Sequence, residues 1–142
     1  QDKELGGKRK GVSGSKGLSE MQGLTHDLLQ IAFANPDNQI VLDYVGMYIL
    51  FEKNIPLFKM FIENFYEAPG LQPMPTHFQE AIVFSYESQP ERWKEFGITE
   101  AIKKRFEEYK RLDIDSRLSP SLVNRLRSGF GNTYWYYYTY HK

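Results

Sequence analysis

The feature that most constrains this chain is the stretch 35–69, which has the pattern of two helices folded back on each other. An Asn-Pro pair opens the stretch and an Ala-Pro pair closes it. A second break, at residues 53–56, divides it in the middle. Proline is tolerated in the first turn of a helix but not in its interior. Two amphipathic segments joined by so short a link predict an antiparallel helical hairpin.

The first half of this hairpin has apolar residues at the spacing of one helix face. We predict that Asn35 caps this helix and that Pro36 lies in its first turn. The apolar stripe that is expected to face inward consists of Ile40, Val41, Tyr44, Val45, Tyr48 and Ile49. Gly46 in the helix interior costs about 1 kcal/mol relative to alanine, so we expect another helix to approach closely at this position.

The second half of the hairpin begins at Asn54, which is predicted to cap the next helix, with Pro56 in its first turn. Its inward face is expected to be largely phenylalanine. The residues predicted to form the core of the hairpin are Tyr44, Tyr48, Phe58, Phe61 and Ile62.

The hairpin resembles a tetratricopeptide repeat, a two-helix unit with a period of about 34 residues. Gly46 stands where that repeat keeps a small residue in its first helix, and Pro36 and Pro69 fall near the repeat ends. Leu42 stands where the repeat prefers Trp, and Phe58 stands where it prefers Ala. The resemblance implies an all-α domain in which antiparallel helical hairpins stack as a short tetratricopeptide-like array.

A second resemblance extends over residues 35–140. It rests on three stretches, NPDN at 35–38, PTHFQEA at 75–81 and GNTYWYYY at 131–138. These are similar to the C-terminal soluble part of an uncharacterised family of Bacteroidetes membrane proteins, a domain of unknown function. The resemblance implies a helical, repeat-like domain outside the cytoplasm, periplasmic or membrane-associated, and it implies no activity and no functional residues.

Charge is distributed unevenly along the 142 residues, although the formal net charge is zero. Residues 1–16 carry a net charge of +3, residues 17–90 of −7 and residues 91–142 of +4. The zero total gives no global attraction to nucleic acid. Acidic and basic residues are mixed over 103–111, which is typical of a solvated helix face rather than a basic groove. We therefore predict no nucleic-acid partner.

The residue types that carry chemistry are scarce in this chain. There is no cysteine, which excludes disulfides, thiolate zinc sites and cysteine nucleophiles, and there are three histidines. His77 and Glu80 are three positions apart, but a di-metal carboxylate site needs such a pair on two helices and two further carboxylates. We predict no catalytic residue, no metal and no cofactor, and the chain is not expected to be an enzyme.

The two ends of the chain differ in composition. Residues 1–17 contain five glycines and five basic residues, which predicts a flexible basic tail. Residues 18–142 are expected to form one helical repeat-like domain, beginning with a helix over 18–34. No apolar run reaches the roughly 20 residues of a membrane span.

Further helices are predicted after the hairpin. They are expected to begin near Thr76, Glu91, Thr99 and Ser119. Thr76 and Gln79 form a capping-box pattern. Gly97 is expected to end the short helix that begins near Glu91. Residues 113–119 are predicted to be a polar connector, and the helix after it is expected to run to about Arg127.

The aromatic segment 134–140 contains five tyrosines and one tryptophan in seven residues. Such residues stack on sugar rings, lie at a lipid headgroup layer, or close the end of a helical stack. We expect a helix in which Tyr134, Trp135 and Tyr138 pack near Ile102, Phe106 and Leu122. The residues of a possible interaction surface are Tyr134, Trp135, Tyr136, Tyr138 and Tyr140.

The function that these features favour is a helical scaffold or protein–protein interaction module, because stacked hairpins present a concave surface to a protein or peptide. The alternative is an accessory soluble domain of a membrane-anchored enzyme or transport system that contacts carbohydrate or the membrane surface. Either role is consistent with an extracytoplasmic location and with membrane proximity through sequence preceding Gln1. The sequence leaves the oligomeric state open.

Overall fold

The computed structural model describes residues 27–141, and all regular secondary structure in that range is helical, which confirms the all-α prediction. Residues 27–34 form helix α1. The helices that follow are α2 (Gln39–Phe51), α3 (Ile55–Phe65), α4 (Thr76–Ser85), α5 (Glu91–Glu95), α6 (Glu100–Ser116), α7 (Pro120–Phe130) and α8 (Tyr134–Tyr140), with a 3₁₀ turn at Pro69–Leu71. The tail predicted at 1–17 and the start of the helix predicted at 18–34 lie outside the described residues.

Helix α4 lies at the centre of the arrangement. Helices α2 and α3 form the predicted antiparallel hairpin, and α4 packs against both of them. Helices α6 and α7 form a second hairpin, and α6 and α8 both pack against α4. Among the helices between residues 27 and 141, none has the length and apolar character needed to cross a bilayer.

Helix α2 begins later than the sequence indicated, so the prediction that Asn35 caps it is wrong. The side chain of Asn38 caps it instead, accepting a hydrogen bond from Val41 N at 3.1 Å. Asn35 instead bonds to the C-terminal end of α1, where its side-chain amide donates to the carbonyl of Ile31 at 2.8 Å. Pro36 lies in the turn between the two helices, and its carbonyl accepts from Gly70 N at 2.9 Å. The Asn-Pro signal therefore marks the end of one helix rather than the start of the next.

The link between α2 and α3 follows the predicted cap. Lys53 has a φ of 59°, a left-handed conformation that ends α2. Its N–H donates to the carbonyl of Leu50 at 2.9 Å, and the N–H of Asn54 donates to that of Ile49 at 3.2 Å. The side chain of Asn54 then accepts from Leu57 N at 3.1 Å, which confirms Asn54 as the cap of α3.

The inward face of α2 was predicted only in part, since Val45 and Ile49 of the predicted stripe are buried but Ile40 and Tyr44 are not. Its buried residues are Leu42, Val45, Gly46, Ile49 and Leu50. Tyr44 is 62% exposed and Ile40 is 81% exposed, so the assignment of Tyr44 to the hairpin core is wrong, and Tyr48 is only half-buried. On α3 the prediction is confirmed, because Phe58, Phe61 and Ile62 are fully buried.

The close approach predicted at Gly46 is confirmed, and the approaching helix is α4. A Cβ atom added to Gly46 would lie 2.2 Å from Cζ of Phe78. The ring of Phe78 also meets the rings of Phe58 and Phe61 edge-on, with centroid distances of 6.0 and 5.9 Å. The tip of Phe78 therefore occupies the space that a side chain at position 46 would need.

Two predicted details in the second half of the chain are wrong, the capping box at Thr76 and the connector at 113–119, although α4 begins at Thr76 as predicted. Thr76 makes no capping hydrogen bond, because the N-cap position of α4 is Pro75, and the side-chain amide of Gln79 donates to the carbonyl of Met74 at 3.1 Å. Residues 113–119 are not a connector, because α6 continues to Ser116. Its last turn is held by the hydroxyl of Ser116, which donates to the carbonyl of Asp113 at 2.8 Å.

The ends of the remaining helices lie close to the predicted ones. Gly97, with a φ of 74°, follows α5, as expected for a residue that ends a helix in a left-handed conformation. The side chain of Thr99 caps α6 by accepting from Ile102 N at 3.3 Å. Helix α7 runs to Phe130 rather than to about Arg127, because the buried ring of Phe130 packs against Tyr109 with a centroid distance of 5.6 Å.

Replacing Gly46 by alanine should destabilise the domain by up to about 2 kcal/mol. The added methyl group overpacks the contact with Phe78, which costs about 1–3 kcal/mol, and the gain of about 1 kcal/mol that alanine brings to a helix interior offsets part of this cost. The matched control is Gly129→Ala in α7, where an added Cβ meets no atom within 4 Å, and this variant should be as stable as the wild type or more stable. Urea unfolding monitored by circular dichroism gives both values. A Gly46→Ala variant as stable as the wild type would contradict the α2–α4 contact.

Candidate functional site

Helix α8 contains the aromatic residues that were expected at an interaction surface, and Thr133 positions its first turn. The side-chain oxygen of Thr133 accepts from Tyr136 N at 3.2 Å, and its hydroxyl donates to the carbonyl of Phe130 at 2.7 Å. The helix expected over 134–140 is therefore present. Its first two residues, Tyr134 and Trp135, are 4% and 0% exposed.

The polar atoms of these two rings are bonded to earlier helices. The hydroxyl of Tyr134 donates to the carbonyl of Leu50 at the end of α2, at 2.8 Å. The indole N–H of Trp135 donates to the carbonyl of Glu80 in α4, also at 2.8 Å. The indole ring packs against Phe106, as expected, with a centroid distance of 5.1 Å. Tyr134 and Trp135 thus join α8 to the core and do not lie on a surface.

The other three residues expected at an interaction surface reach solvent to different degrees. The rings of Tyr136 and Tyr140 lie 4.7 Å apart, and the hydroxyl of Tyr140 donates to the carboxylate of Asp113. Tyr138 packs against Phe84 of α4, with a centroid distance of 4.7 Å. Tyr136 and Tyr138 are half-buried and Tyr140 is 39% exposed. We name Tyr136, Tyr138 and Tyr140 the tyrosine rim, and its role in recognition remains a prediction.

A buried carboxylate holds the start of α8. Glu80 is 3% exposed, and its Oε1 accepts a hydrogen bond from the backbone N–H of Tyr134 at 2.9 Å. The same oxygen lies 2.9 Å from Nδ1 of His77, one helical turn earlier on α4. A buried carboxylate is costly unless it is paired; the contact with His77 lies within α4, whereas the bond from Tyr134 forms only when α8 is docked.

His77 is the partner that can change its charge near neutral pH. The hydrogen bond to Glu80 raises the pKa of the His77 imidazole above its ordinary value of 6.5, against the opposing effect of burial. The group is half exposed, which weakens the interaction through solvent screening. Protonated His77 faces the carboxylate of Glu80, so the pair favours the folded state more strongly when the imidazole is charged.

The His77–Glu80 pair supplies only two side chains of the kind that bind metals. Among residues 27–141, no cluster of three or more histidine, aspartate or glutamate side chains is placed to hold a metal ion. A second polar cluster joins α3 and α5, where Oε2 of Glu63 accepts from the hydroxyl of Tyr86 at 2.8 Å and from Arg92 at 3.1 Å. These hydrogen bonds lower the pKa of Glu63 and hold the short helix α5 against the core.

The surface that sequence reasoning missed is the outer face of α2. Ile40, Tyr44 and Phe51 are 81%, 62% and 56% exposed, and Met47 between them is half-buried. They follow one another at steps of four, three and four residues, which places them on one side of the helix. This side lies opposite Gly46 and the buried face. We name Ile40, Tyr44, Met47 and Phe51 the outer stripe.

The outer stripe continues onto α8. The ring of Phe51 packs against Tyr137 with a centroid distance of 5.6 Å, and the hydroxyl of Tyr137 donates to the carbonyl of Phe51 at 2.9 Å. Tyr137 in turn stacks on His141 at 4.5 Å. Along α2 alone the stripe spans about 16 Å, given a rise of 1.5 Å per residue.

Acidic residues border the outer stripe. Asp43 lies on one flank, Glu52 on the other, and Asp37 precedes the helix. Burial raises the pKa of Asp43 above its ordinary value. One of its carboxylate oxygens is buried and accepts no hydrogen bond from the described residues. A basic side chain, Lys53, follows the C-terminal end of α2, and its amino group lies 5.5 Å from the ring centroid of Tyr137.

Comparison with known proteins gives one match. The model of a family described as a family of unknown function (DUF6057) matches residues 1–141. No curated protein and no solved structure matches the chain.

Trp135→Ala should destabilise the domain by about 3–5 kcal/mol, because it removes a fully buried ring and its hydrogen bond to the carbonyl of Glu80. The control on the same helix is Tyr136→Ala, which removes a half-buried ring and should cost much less. Chemical denaturation of both variants provides the comparison. Equal losses for the two variants would contradict the position of α8.

His77 should make the stability of the domain depend on pH. Its pKa is raised in the folded state, so its contribution is fully present below the unfolded pKa and is lost as pH rises through the folded pKa. The free energy of unfolding of the wild type relative to His77→Gln should therefore be larger near pH 5.5 than near pH 8. Subtracting the variant removes the effect of the other titrating groups. A difference that stays constant across this range would contradict the His77–Glu80 interaction.

Proposed function

Because the chain belongs to this family of unknown function, we propose a role from its own surfaces: the domain is a protein–protein interaction module that binds a helical segment of its partner through the outer stripe of α2. The observation that carries this proposal is the exposure of Ile40, Tyr44 and Phe51 on a helix whose opposite face is in the core.

The physical argument starts from the cost of leaving these side chains in water. A helix that is apolar on all sides is normally buried on all sides, and contiguous exposed apolar patches on soluble domains mark interaction sites. Covering the stripe would gain about 25 cal/mol for each Å² of apolar surface removed from water. Steps of four, three and four residues are also the spacing at which one helix packs along another.

The tetratricopeptide-like arrangement is part of the same proposal. It is supported by the α2–α3 hairpin, by the packing of α4 against both of its helices, and by the position of Gly46 opposite Phe78 of α4. In repeats of this kind each hairpin packs on the first helix of the next unit, and the stacked helices present binding surfaces to partners. In this proposal the outer stripe of α2 is the surface that binds the partner.

A second role, favoured by the exposed tyrosine rim of α8, is contact with carbohydrate or a membrane surface as an accessory domain of a membrane-anchored enzyme or transport system. The rings of Tyr136 and Tyr140 form a pair 4.7 Å apart, and Tyr140 is 39% exposed. Aromatic residues of this kind stack on sugars or lie at lipid headgroups. We propose an extracytoplasmic location with this role. Binding of an oligosaccharide or a vesicle that Tyr140→Ala abolishes and Tyr44→Ala does not would favour it.

The interaction proposal is tested with a defined peptide. Wild-type protein is immobilised at low density and exposed to a synthetic amphipathic helix with leucines at steps of four, three and four residues, beside a scrambled peptide of the same composition. We expect the helix to bind and the scrambled peptide not to bind. Tyr44→Ala should weaken binding about tenfold, which corresponds to about 1.4 kcal/mol.

The matched control is Ile114→Ala, which removes a side chain that is 56% exposed but lies on α6, away from the outer stripe. It should leave the affinity for the peptide unchanged. The proposal is overturned by equal binding of the two peptides, or by equal losses in Tyr44→Ala and Ile114→Ala.

A further inference from the structure

We propose that a second copy of this chain is a partner that covers the outer stripe, with the two α2 helices running antiparallel about a two-fold axis. This inference rests on the proposed function, since it names the partner of the same surface.

The first argument is the symmetry of the spacing. The outer stripe advances by four, then three, then four residues, so it has the same spacing when it is read in either direction along α2. A copy of the helix turned end for end therefore presents a matching stripe. In this register Ile40 lies opposite Phe51 of the second copy and Tyr44 lies opposite Met47, so that each apolar side chain meets another. A contact of this kind is isologous and closes as a dimer.

The second argument is charge, which selects the antiparallel orientation. Parallel helices in register would place Asp37, Asp43 and Glu52 each beside its own counterpart, and like charges at such positions are unfavourable. Antiparallel pairing separates all three pairs and places Asp43 beside Tyr48 of the second copy. It also brings Asp37 towards the end of α2 that carries both Lys53 and Glu52, so that the charges at this end largely offset one another.

The third argument is the size of the surface. The outer stripe is extended by Tyr137, whose ring packs on Phe51, so the interface includes α8 as well as α2. Even so, one helix and a neighbouring ring from each copy amount to a small interface, below the roughly 1,200–2,000 Å² of stable complexes. We therefore expect a dimer that dissociates at about micromolar concentration rather than a permanent one.

Sedimentation of the whole chain across a range from about 1 to 500 µM tests the assembly. The wild type should shift from monomer to dimer as the concentration rises. Tyr44→Glu should raise the dissociation constant at least tenfold, because it places a charge at the centre of the interface. Ile40→Glu, at a side chain that is 81% exposed, is a second variant with the same expectation. Ile114→Glu on α6 should associate as the wild type does.

Two results would overturn the assembly. One is a wild type that stays monomeric at every concentration. The other is a dimer that persists in both Tyr44→Glu and Ile40→Glu, which would locate the interface elsewhere. Circular dichroism melting of each variant shows that it folds, which is expected because the substituted side chains are exposed.

The orientation has its own test, because the chain contains no cysteine of its own. Ile40→Cys and Phe51→Cys are prepared separately, then oxidised alone and as a mixture. Antiparallel pairing predicts that the mixture forms a disulfide between the two variants and that neither variant forms one efficiently alone. Disulfides within each variant alone, at the expense of the mixed one, would overturn the antiparallel arrangement.

The two proposals can fail independently. A wild type that remains monomeric but binds the amphipathic peptide through Tyr44 leaves the interaction module in place and removes only the second copy as its partner. A chain that neither dimerises nor binds the peptide overturns both.

Discussion

The contact between Gly46 and the ring of Phe78 is the constraint on which the rest of the structure depends. A ring tip occupies the space of a side chain, so α2 can pack on α4 at only one rotation about its own axis. That rotation sends Leu42, Ile49 and their neighbours inward and turns a second apolar stripe outward. A helix with apolar residues on two faces has no preferred rotation from hydrophobicity alone. The absence of a side chain at position 46 therefore determines which of the two apolar faces of α2 packs against the core.

Helix α4 also determines where α8 lies. The carbonyl of Glu80 accepts from the indole of Trp135, and its carboxylate accepts from the backbone of Tyr134. These bonds fix both the position and the rotation of α8, since a buried polar group that loses its hydrogen-bond partner costs about 1–3 kcal/mol. The hydroxyl of Tyr134 then reaches the last turn of α2. Glu80 thus connects α8 to α4, and Tyr134 connects α8 to the α2–α3 hairpin.

The sequence predicted the fold class, the α2–α3 hairpin and the inward face of α3, because these follow from local periodicity, proline breaks and caps such as Asn54. The predictions failed where contacts with residues distant in sequence determine the structure. Tyr44 and Ile40 fit an amphipathic stripe as well as Leu42 and Leu50 do, and only the close approach at Gly46 separates them. That signal was present in the sequence, since the residues on the side of a close-packed glycine must face the approaching helix. Residues 113–119 were predicted to be a connector. The hydroxyl of Tyr140, which bonds to Asp113 in the folded chain, is distant in sequence and gives no local signal.

The distance along the chain between α2 and α8 has a consequence for the order of folding. The hydrogen bond from Tyr134 to Leu50 joins residues 84 positions apart, whereas the two hairpins join neighbours. Local contacts form quickly, and contacts that close a long loop form slowly because the chain must lose more conformational freedom first. The hairpins α2–α3 and α6–α7 can therefore exist before α8 docks, with Glu80 still open to water. Docking of α8 is then the late step that turns two partly independent hairpins into one cooperative unit.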